Sequence, residues 1–266
     1  MAKKKIPSSK RILNIVPSVN TDKDWDIATA QKSDVFSAGK LPSGKDLREA
    51  WWKINDQGAT GSCVGWSLAD SVLRWHFVEA GKLPKTKLLS TRFIWMASKE
   101  EDEFTSRPTT FIEEAGTSLK AALDIARKYG CVLDEDLPFG SGKLNPEKED
   151  VFYSRASAFK IRAYYNLHTG DRLANWKKWI ASNGPVFTAL DVDDTWYNAG
   201  NTKGKLTKYT SPTYGGHAVA IVGYTKNHFI IRNSWGTEEW GDKGYGYASY
   251  AYARAAFLES YGVSLF

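Results

Sequence analysis

Apolar residues dominate the stretch from Cys63 to Phe77, where only a narrow polar stripe interrupts them. A helix that is apolar around most of its circumference is typical of the centre of a protein. This stretch therefore predicts a buried central helix, which Gly81 ends. Within the polar stripe, Asp70 and Arg74 lie four residues apart and are expected to pair on one face of the helix.

Further helices are predicted from Leu89, with Ser90 as the N-cap, over residues 118–129, and from about Asp171 to Ser182. After residue 182 the pattern changes to short apolar runs bounded by glycine, asparagine, aspartate and lysine, which is typical of strands. The predicted strands are Val186–Val192, Ala218–Tyr224, His228–Arg232 and Tyr245–Tyr250.

The order of these elements, helices first and strands later, predicts an α+β fold made of two packed halves. Residues 134–150 are rich in proline and glycine and form the best internal boundary. We therefore divide the chain into an N-terminal segment over 1–40, a helical half over 41–150 and a strand-rich half over 151–266. The N-terminal segment is polar and lysine-rich without a sustained period, which predicts an extended stretch that runs along the surface.

Composition narrows the class of protein. The chain is 42% hydrophobic and carries 11 Trp, 13 Tyr and 12 Phe, which indicates a substantial core and excludes a disordered protein. The net charge of +6 is dispersed and no nucleic-acid motif accompanies it, so nucleic-acid binding is not expected. The first thirty residues lack the apolar run of a signal peptide. No apolar stretch in the sequence approaches the ~20 residues that are needed to span a bilayer. We therefore expect a soluble, cytoplasmic protein with no membrane partner.

The cysteines give no pattern for a metal site. Only Cys63 and Cys131 are present, and the CxxC and HxxxH spacings of metal sites are absent, so neither a metal nor another cofactor is predicted. Cys131 follows a predicted helix and is interpreted as a small, buried apolar residue. A single disulfide between the two cysteines is left open, but the paired cysteines of a secreted framework are not present.

Cys63 has the setting of a reactive thiol. A loop of small residues, with Gln57 six positions upstream, delivers it to the start of the central helix. A thiol reacts as its thiolate, and a cysteine with a pKa of about 8.5 is mostly protonated at neutral pH. Lowering that pKa by four units needs ~5.5 kcal/mol, whereas a helix dipole supplies about 0.3–2 kcal/mol. A histidine partner is therefore required.

His217 is the histidine whose surroundings suit that task. It follows Gly215 and Gly216, which leave the imidazole room for a substrate to approach, and an apolar strand comes after it. Sixteen residues later comes the sequence Arg232-Asn233-Ser234-Trp235-Gly236. An asparagine carbonyl can orient an imidazole ring through one nitrogen while the other nitrogen faces the thiol. Taken alone, this stretch also fits a turn with structural aromatic residues. No role is indicated for the other histidines, His76, His168 and His228.

Four dispersed elements resemble, in their order and spacing, the papain-like cysteine peptidases. They are Gln57, Gly61-Ser62-Cys63, Gly216-His217-Ala218 and Asn233-Ser234-Trp235-Gly236. The resemblance covers about residues 41–250. It implies a helical half that carries the cysteine and a β-rich, barrel-like half that carries the histidine and asparagine. The groove between the halves would take an extended peptide.

The resemblance also implies roles by position. Cys63 would be the nucleophile, His217 the base and later the acid, and Asn233 the residue that orients His217. The side chain of Gln57, with the backbone amide of Cys63, would form the oxyanion hole. The residues implied to contact the substrate or to cover the site are Gly116, Gly216 and Trp235.

Departures from the family pattern indicate similarity to its prokaryotic members. Thr60 stands where secreted members have a cysteine that forms a disulfide, and Val64 replaces the tryptophan that usually follows the nucleophile. Residues 1–40 are shorter than the usual pro-region and lack its helical motif. Two interpretations of them stay open: a short segment that lies across the groove and restrains activity, as in a zymogen, or a tail or structural strap.

The predicted function is that of a cysteine endopeptidase, which hydrolyses bonds of a peptide or protein substrate through a thioester acyl-enzyme. One alternative is a transpeptidase or ligase that passes the same acyl-enzyme to an amine. Another is a peptide-binding module that has lost catalysis. The sequence allows no prediction of side-chain preference, physiological target or oligomeric state.

Overall fold

The central helix is the element around which the helical half is built. The structure is a computed structural model that describes residues 11–35, 39–101, 115–141 and 149–266. Helix α2 (Cys63–Gly65), a π-helical stretch (Trp66–Leu73) and helix α3 (Arg74–Glu79) follow one another without a break. Every residue from Ser67 to Leu73 is buried. The predicted buried central helix is therefore confirmed.

Two capped helices pack against the central helix. Helix α4 (Thr91–Glu101) begins after Ser90, whose hydroxyl accepts a hydrogen bond from the backbone N–H of Phe93 at 3.0 Å. Helix α5 (Leu119–Lys128) begins after Ser118, whose side chain accepts from the N–H of Ala121. Both predicted helices and the predicted cap at Ser90 are thus confirmed.

The expected loop between the halves is shorter than predicted. Residues 134–141 contain no helix or strand, but helix α6 (Glu149–Ala156) begins before residue 150. Residues 142–148 lie outside the described part of the chain. Helix α6 continues into a 3-10 turn (Ser157–Phe159), which leads to the first long strand of the second half.

An eight-stranded sheet dominates the second half, and its first strand comes from the first half. The strands are β1 (Lys45–Asp46), β2 (Ala163–Asn166), β3 (Val186–Asp191), β4 (Lys205–Leu206), β5 (Gly216–Tyr224), β6 (His228–Arg232), β7 (Tyr245–Ser249) and β8 (Phe257–Ser264). Their order in the sheet is β2-β8-β3-β5-β6-β7-β4, and β1 pairs with β5 outside this path. All of these pairings are antiparallel except that of β4 with β7. Helices in one half and a mostly antiparallel sheet in the other confirm the predicted α+β class.

Three helices accompany the sheet: α7 (Arg172–Ser182), α8 (Asp194–Tyr197) and α9 (Tyr250–Ala256). Asp171 caps α7 by accepting a hydrogen bond from the N–H of Ala174, and α7 packs on β3 and β5. Strand β5, which carries His217, is buried along almost its whole length between these elements. No helix among the described residues is long and apolar enough to cross a membrane.

A buried ion network joins the two halves. The predicted pair of Asp70 and Arg74 forms at 3.4 Å, and Arg232 at the end of β6 approaches the same carboxylate at 2.9 Å. Arg232 also donates to the hydroxyl of Ser71 at 2.6 Å and to the carbonyl of Lys53 at 2.6 Å. The strand that precedes Asn233 is therefore tied directly to the central helix.

The N-terminal segment crosses the molecule rather than trailing from it. Residues 21–23 form a 3-10 turn and residues 27–32 form helix α1 (Ile27–Lys32), so the expectation of a wholly extended stretch is wrong. The side chain of Asp26 caps this short helix by accepting from the N–H of Thr29. The N–H of Asn166 in β2 donates to the carbonyl of Trp25 at 2.7 Å, which fixes α1 against the sheet.

Candidate active site

Cys63 is the first residue of α2 and is fully buried. The backbone N–H of Ala218, on the neighbouring strand β5, donates a hydrogen bond to its sulfur. Since Ala218 follows His217 in the chain, this contact places the thiol next to the backbone of the strand that carries the imidazole. Cys63 and Cys131 are both free thiols, so the disulfide that the sequence left open is absent.

His217 is held by Asn233. The distance between His217 Nε2 and Asn233 Oδ1 is 2.7 Å, and the N–H of Ser234 donates to the same oxygen at 2.8 Å. A backbone N–H requires an acceptor, so the Asn233 oxygen faces both groups and Nε2 must carry the hydrogen. Nδ1 is then the unprotonated nitrogen. It is buried and has no hydrogen-bond partner among the described residues.

Tryptophans cover this contact. The ring of Trp235 lies 4.9 Å from that of His217 between centroids, and the ring of Trp196 lies 5.7 Å from it on an approach near the perpendicular. Both indoles are buried, as is His217 itself. The arrangement keeps water away from the bond between His217 and Asn233, which is where the sequence analysis expected Trp235 to lie.

Gln57 is fixed by two residues near the same site. Its side-chain oxygen accepts from the hydroxyl of Ser234 at 2.7 Å, and its side-chain nitrogen donates to the carbonyl of Thr60 at 3.1 Å. An amide nitrogen carries two hydrogens, so one N–H remains after the bond to Thr60. The structure therefore brings the four predicted residues Cys63, His217, Asn233 and Gln57 into one site.

The thiol and the imidazole are both neutral in this state. Burial raises the pKa of the Cys63 thiol to about 11, although hydrogen bonds from backbone amides, that of Ala218 first, favour the thiolate. Burial also lowers the pKa of His217 to about 4, the hydrogen bond to Asn233 opposes that change, and the charge of Arg11 adds to it. In this closed state, burial therefore opposes the low thiol pKa that a reactive cysteine requires.

A stretch of the N-terminal segment closes the site. We call residues 11–16 the groove segment. The N–H of Ile15 donates to the carbonyl of Gly216 at 3.4 Å, and the N–H of Val16 donates to the carbonyl of Thr117 at 3.1 Å. A Cβ at Gly116 would lie 2.0 Å from the carbonyl oxygen of Asn14. Both glycines that were predicted to contact a substrate, Gly116 and Gly216, thus lie against this segment.

Arg11 anchors one end of the groove segment. Its guanidinium contacts the carboxylate of Asp56 at 2.5 Å and donates to the carbonyl oxygens of Gly58 at 2.9 Å and Trp235 at 3.3 Å. The guanidinium also lies over the ring of Trp235, 5.7 Å from its centroid. Arg11 is buried by these contacts.

Sequence reasoning did not identify several residues that shape the site: Ser234, Trp196, Asp56 and Arg11. Ser234 belongs to the Asn-Ser-Trp-Gly motif, so its presence was visible, but its bond to Gln57 joins positions 177 residues apart. The bond between Arg11 and Asp56 joins residues 45 positions apart. No local pattern marks such pairs before the chain is folded.

A family model described as papain family cysteine protease matches residues 41–263. Cathepsin J of Mus musculus is 28% identical over 208 residues, which cover 74% of this chain and 58% of the relative. Cathepsin F of Drosophila melanogaster is 24% identical over 215 residues, which cover 74% of this chain and 31% of the relative. The chain thus spans less than two thirds of the length of these relatives.

Solved structures share the fold. Xylellain, a cysteine protease from Xylella fastidiosa, has a TM-score of 0.76 at 20% identity, with 100% of both chains covered. The digestive procathepsin L 3 of Tenebrio molitor larval midgut has a TM-score of 0.65 at 20% identity, covering 86% of this chain and 72% of the other. At 20% identity, both similarities show that the fold is shared.

Proposed function

The chain belongs to the papain family of cysteine proteases, as its motifs predicted, and we propose that it is a cysteine endopeptidase acting through a thioester acyl-enzyme. The strongest support for this proposal is the tautomer of His217. The bond between His217 Nε2 and Asn233 Oδ1 leaves the buried Nδ1 unprotonated, and the N–H of the next residue, Ala218, donates to the sulfur of Cys63. An imidazole in this tautomer can accept the proton of a thiol, which is the first step of such a reaction.

The proposed reaction uses the four residues in sequence. Nδ1 of His217 takes the proton of Cys63, and the thiolate attacks the carbonyl carbon of the scissile bond. The remaining side-chain N–H of Gln57 and the N–H of Cys63 stabilise the oxyanion. The imidazolium then gives its proton to the leaving amine, and a thioester remains. Water activated by His217 hydrolyses the thioester and restores the free thiol.

The test is hydrolysis of an internally quenched peptide library by protein that lacks residues 1–16, which removes the groove segment. We expect Cys63→Ala to abolish cleavage and Cys131→Ala to retain it, since Cys131 is buried away from the site. Equal activity of the wild-type and Cys63→Ala forms, or no cleavage by either, would overturn the proposal.

The two alternatives differ in ways that can be measured. A transpeptidase forms the same acyl-enzyme, so adding an amine to the reaction and analysing the products for the aminolysis product distinguishes it from a hydrolase. A binding module would bind peptides without cleaving them. The complete set of Cys63, His217, Asn233 and Gln57 in one site favours an enzyme over that module.

We further propose that the groove segment restrains activity. Its backbone bonds to Gly216 and Thr117 occupy polar groups of the groove, and Cys63 has no exposed surface while the segment is in place. A substrate would need the same space. The segment therefore acts as the blocking part of a zymogen, and the remainder of residues 1–40 fastens it to the molecule.

Truncation at two points tests this restraint. Protein that lacks residues 1–16 should cleave peptides faster than the full chain, whereas protein that lacks residues 1–10 should behave as the full chain does. A synthetic peptide of residues 11–18 should inhibit the shorter form when added back. Equal activity of all three proteins, with no inhibition by the peptide, would contradict the restraint.

A further inference from the structure

We propose that the groove contains a binding site for a guanidinium group, filled here by Arg11, and that this site takes an arginine of the substrate on the leaving-group side of the scissile bond. The inference rests on the proposed peptidase function and adds a substrate class to it. The site consists of the Asp56 carboxylate, the carbonyl oxygens of Gly58 and Trp235, and the indole of Trp235.

The contacts match the shape of a guanidinium. Nη1 of Arg11 lies 2.5 Å from Asp56 Oδ1, and Nη2 lies 3.2 Å from Asp56 Oδ2, so the two parallel bonds form a fork. Each of these nitrogens also donates to one of the two carbonyl oxygens. Paired bonds to a carboxylate and stacking on an aromatic ring are typical of arginine recognition, whereas lysine offers a point charge. The site therefore distinguishes arginine from other cations.

The site belongs to the body of the protein and not to the groove segment. The N–H of Gly58 donates to Asp56 Oδ1 at 2.9 Å, and Asp56 pairs with Trp235 in an isolated β-bridge. Gly236 has a φ of +74° and packs against the Asp56 side chain, and its N–H donates to the carbonyl of Asn55 at 3.1 Å. Since none of these bonds involves residues 11–16, they persist when the segment leaves.

The position of the site follows from the course of the groove segment. Arg11 lies at Trp235, which covers His217, and its charge acts on the pKa of that histidine. Farther along the segment, Asn14 and Val16 lie at Gly116 and Thr117. Between them, Leu13 lies against Gly215, two residues before His217, so the segment passes the catalytic histidine on its way from the guanidinium site to Gly116.

The side of the scissile bond follows from the same arrangement. The family resemblance implies that Gly116 contacts the substrate, and with Gly116 on the acyl side of the scissile bond the arginine site receives the part that leaves. The guanidinium carbon lies 5.7 Å from the centre of the Trp235 ring, which lies 4.9 Å from that of His217. Three residues of extended chain span about 10–11 Å, so an arginine within the first three positions after the scissile bond can reach the site.

The first experiment measures preference. Protein lacking residues 1–16 is given internally quenched peptides that differ only at the first three positions after the scissile bond, with arginine, lysine or norleucine at each. At one of the three positions, we expect arginine to give a kcat/KM about tenfold to a hundredfold higher than norleucine does, because hydrogen bonds to a charged carboxylate contribute that much binding energy. Lysine should give an intermediate kcat/KM. Asp56→Asn should bring the ratio of arginine to norleucine close to one, and the matched change of an exposed carboxylate, Glu49→Gln, should leave it intact.

The second experiment needs no catalysis. Binding of a synthetic peptide of residues 11–18 to Cys63→Ala protein lacking residues 1–16 is measured by calorimetry. Replacing Arg11 by norleucine in the peptide, or Asp56 by Asn in the protein, should each weaken binding tenfold or more, and both changes together should weaken it no further. Independent effects of the two changes, or an arginine preference that survives Asp56→Asn, would overturn the inference. Complete lack of cleavage with the expected binding pattern would instead contradict the peptidase function.

Discussion

At the scale of single residues, Asn233 decides which nitrogen of His217 carries the hydrogen. Its oxygen accepts from Nε2 of the imidazole and from the N–H of Ser234, so the ring can neither rotate nor exchange tautomers without losing a bond. The sequence motif identified Asn233 as the orienting residue. The Ser234 contact shows why its amide group faces the histidine through the oxygen.

We expect Asn233→Ala to lower kcat of the form lacking residues 1–16 by about tenfold to a hundredfold, because the ring would lose its orientation while the nucleophile stays in place. KM should change little, since Asn233 is buried and does not reach the groove surface. Steady-state kinetics on one quenched peptide checks this. A loss confined to KM would show that Asn233 serves substrate binding instead.

The reactivity of Cys63 should depend on the groove segment. In the full chain, burial raises the pKa of the thiol to about 11, so alkylation by iodoacetamide should remain slow below about pH 9. Without residues 1–16, we expect water to reach the thiol and to favour its charged form, so alkylation should become fast near neutral pH. Cys131 provides an internal reference, because it is buried among other residues and its pKa is raised by burial in both forms. Identical rate profiles for Cys63 in the two proteins would contradict the expectation.

What the sequence could reveal about the site was limited to residues inside short motifs. Cys63, His217 and Asn233 each stand in a distinctive local setting, and their order along the chain matches a known family. Asp56 and Arg11 have no such setting. Their partnership depends on how two distant stretches cross, which is a property of the folded chain and not of either stretch.

At the scale of elements, the central helix and strand β6 are joined by buried charge. Arg232 is fully buried and has three partners, of which Asp70 is ionic. Asp70 in turn accepts from the side-chain amide of Asn55 at 3.0 Å, two residues before Gln57. The network therefore reaches from the loop that carries Gln57 to strand β6, which ends one residue before Asn233.

Arg232→Ala should lower the free energy of unfolding by about 3–5 kcal/mol, because it leaves oxygens of Asp70, Ser71 and Lys53 without their shared donor, although Arg74 still pairs with Asp70. The exposed pair of Arg127 and Asp124 supplies the control, and Arg127→Ala should cost no more than about 1 kcal/mol. Urea unfolding followed by tryptophan fluorescence measures both. Similar losses for the two variants would show that the buried network contributes no more than a surface pair.

Each element that was predicted from the sequence has either a strong pattern of apolar residues or a clear capping residue. The central helix, α4, α5 and α7 have apolar faces of two or more turns, and β3, β5, β6 and β7 are apolar runs with polar ends. Helix α1 was missed because six residues cannot show a helical period. Strand β8 was missed because it follows α9 directly, without the turn residues that would separate them.

At the scale of the whole molecule, the N-terminal segment is fastened to both halves. Beyond the groove, Lys120 of α5 pairs with Asp24 at 2.5 Å, and the hydroxyl of Tyr261 in β8 donates to Asp24 at 3.0 Å. Asn183 donates to the carbonyl of Val35 at 3.2 Å. We call residues 21–35 the strap. The groove segment can therefore leave the site while the strap stays folded and attached to both halves.

Glu259 contacts Ser18, which lies between the groove segment (11–16) and the strap (21–35). Its carboxylate accepts hydrogen bonds from the side chain and the backbone N–H of Ser18, and its Oε2 atom is buried without a hydrogen-bond partner among the described residues. Burial, with a smaller effect from the charge of Asp24, raises the pKa of Glu259 to about 7, although the bonds to Ser18 act in the opposite direction. Asp24 itself is paired with Lys120.

This raised pKa predicts that the closed form weakens as pH rises. Once Ser18 moves away, water reaches the carboxyl group and its pKa falls towards about 4.3. The closed form thus holds a proton that the open form releases, and its extra stability is complete below about pH 4 and lost as pH passes 7. Hydrogen–deuterium exchange of residues 11–18 in the Cys63→Ala protein, corrected for intrinsic exchange, should show faster opening at pH 8 than at pH 5. Glu259→Gln keeps a neutral side chain at every pH and should flatten this dependence, whereas an unchanged slope in that variant would assign the effect to another group.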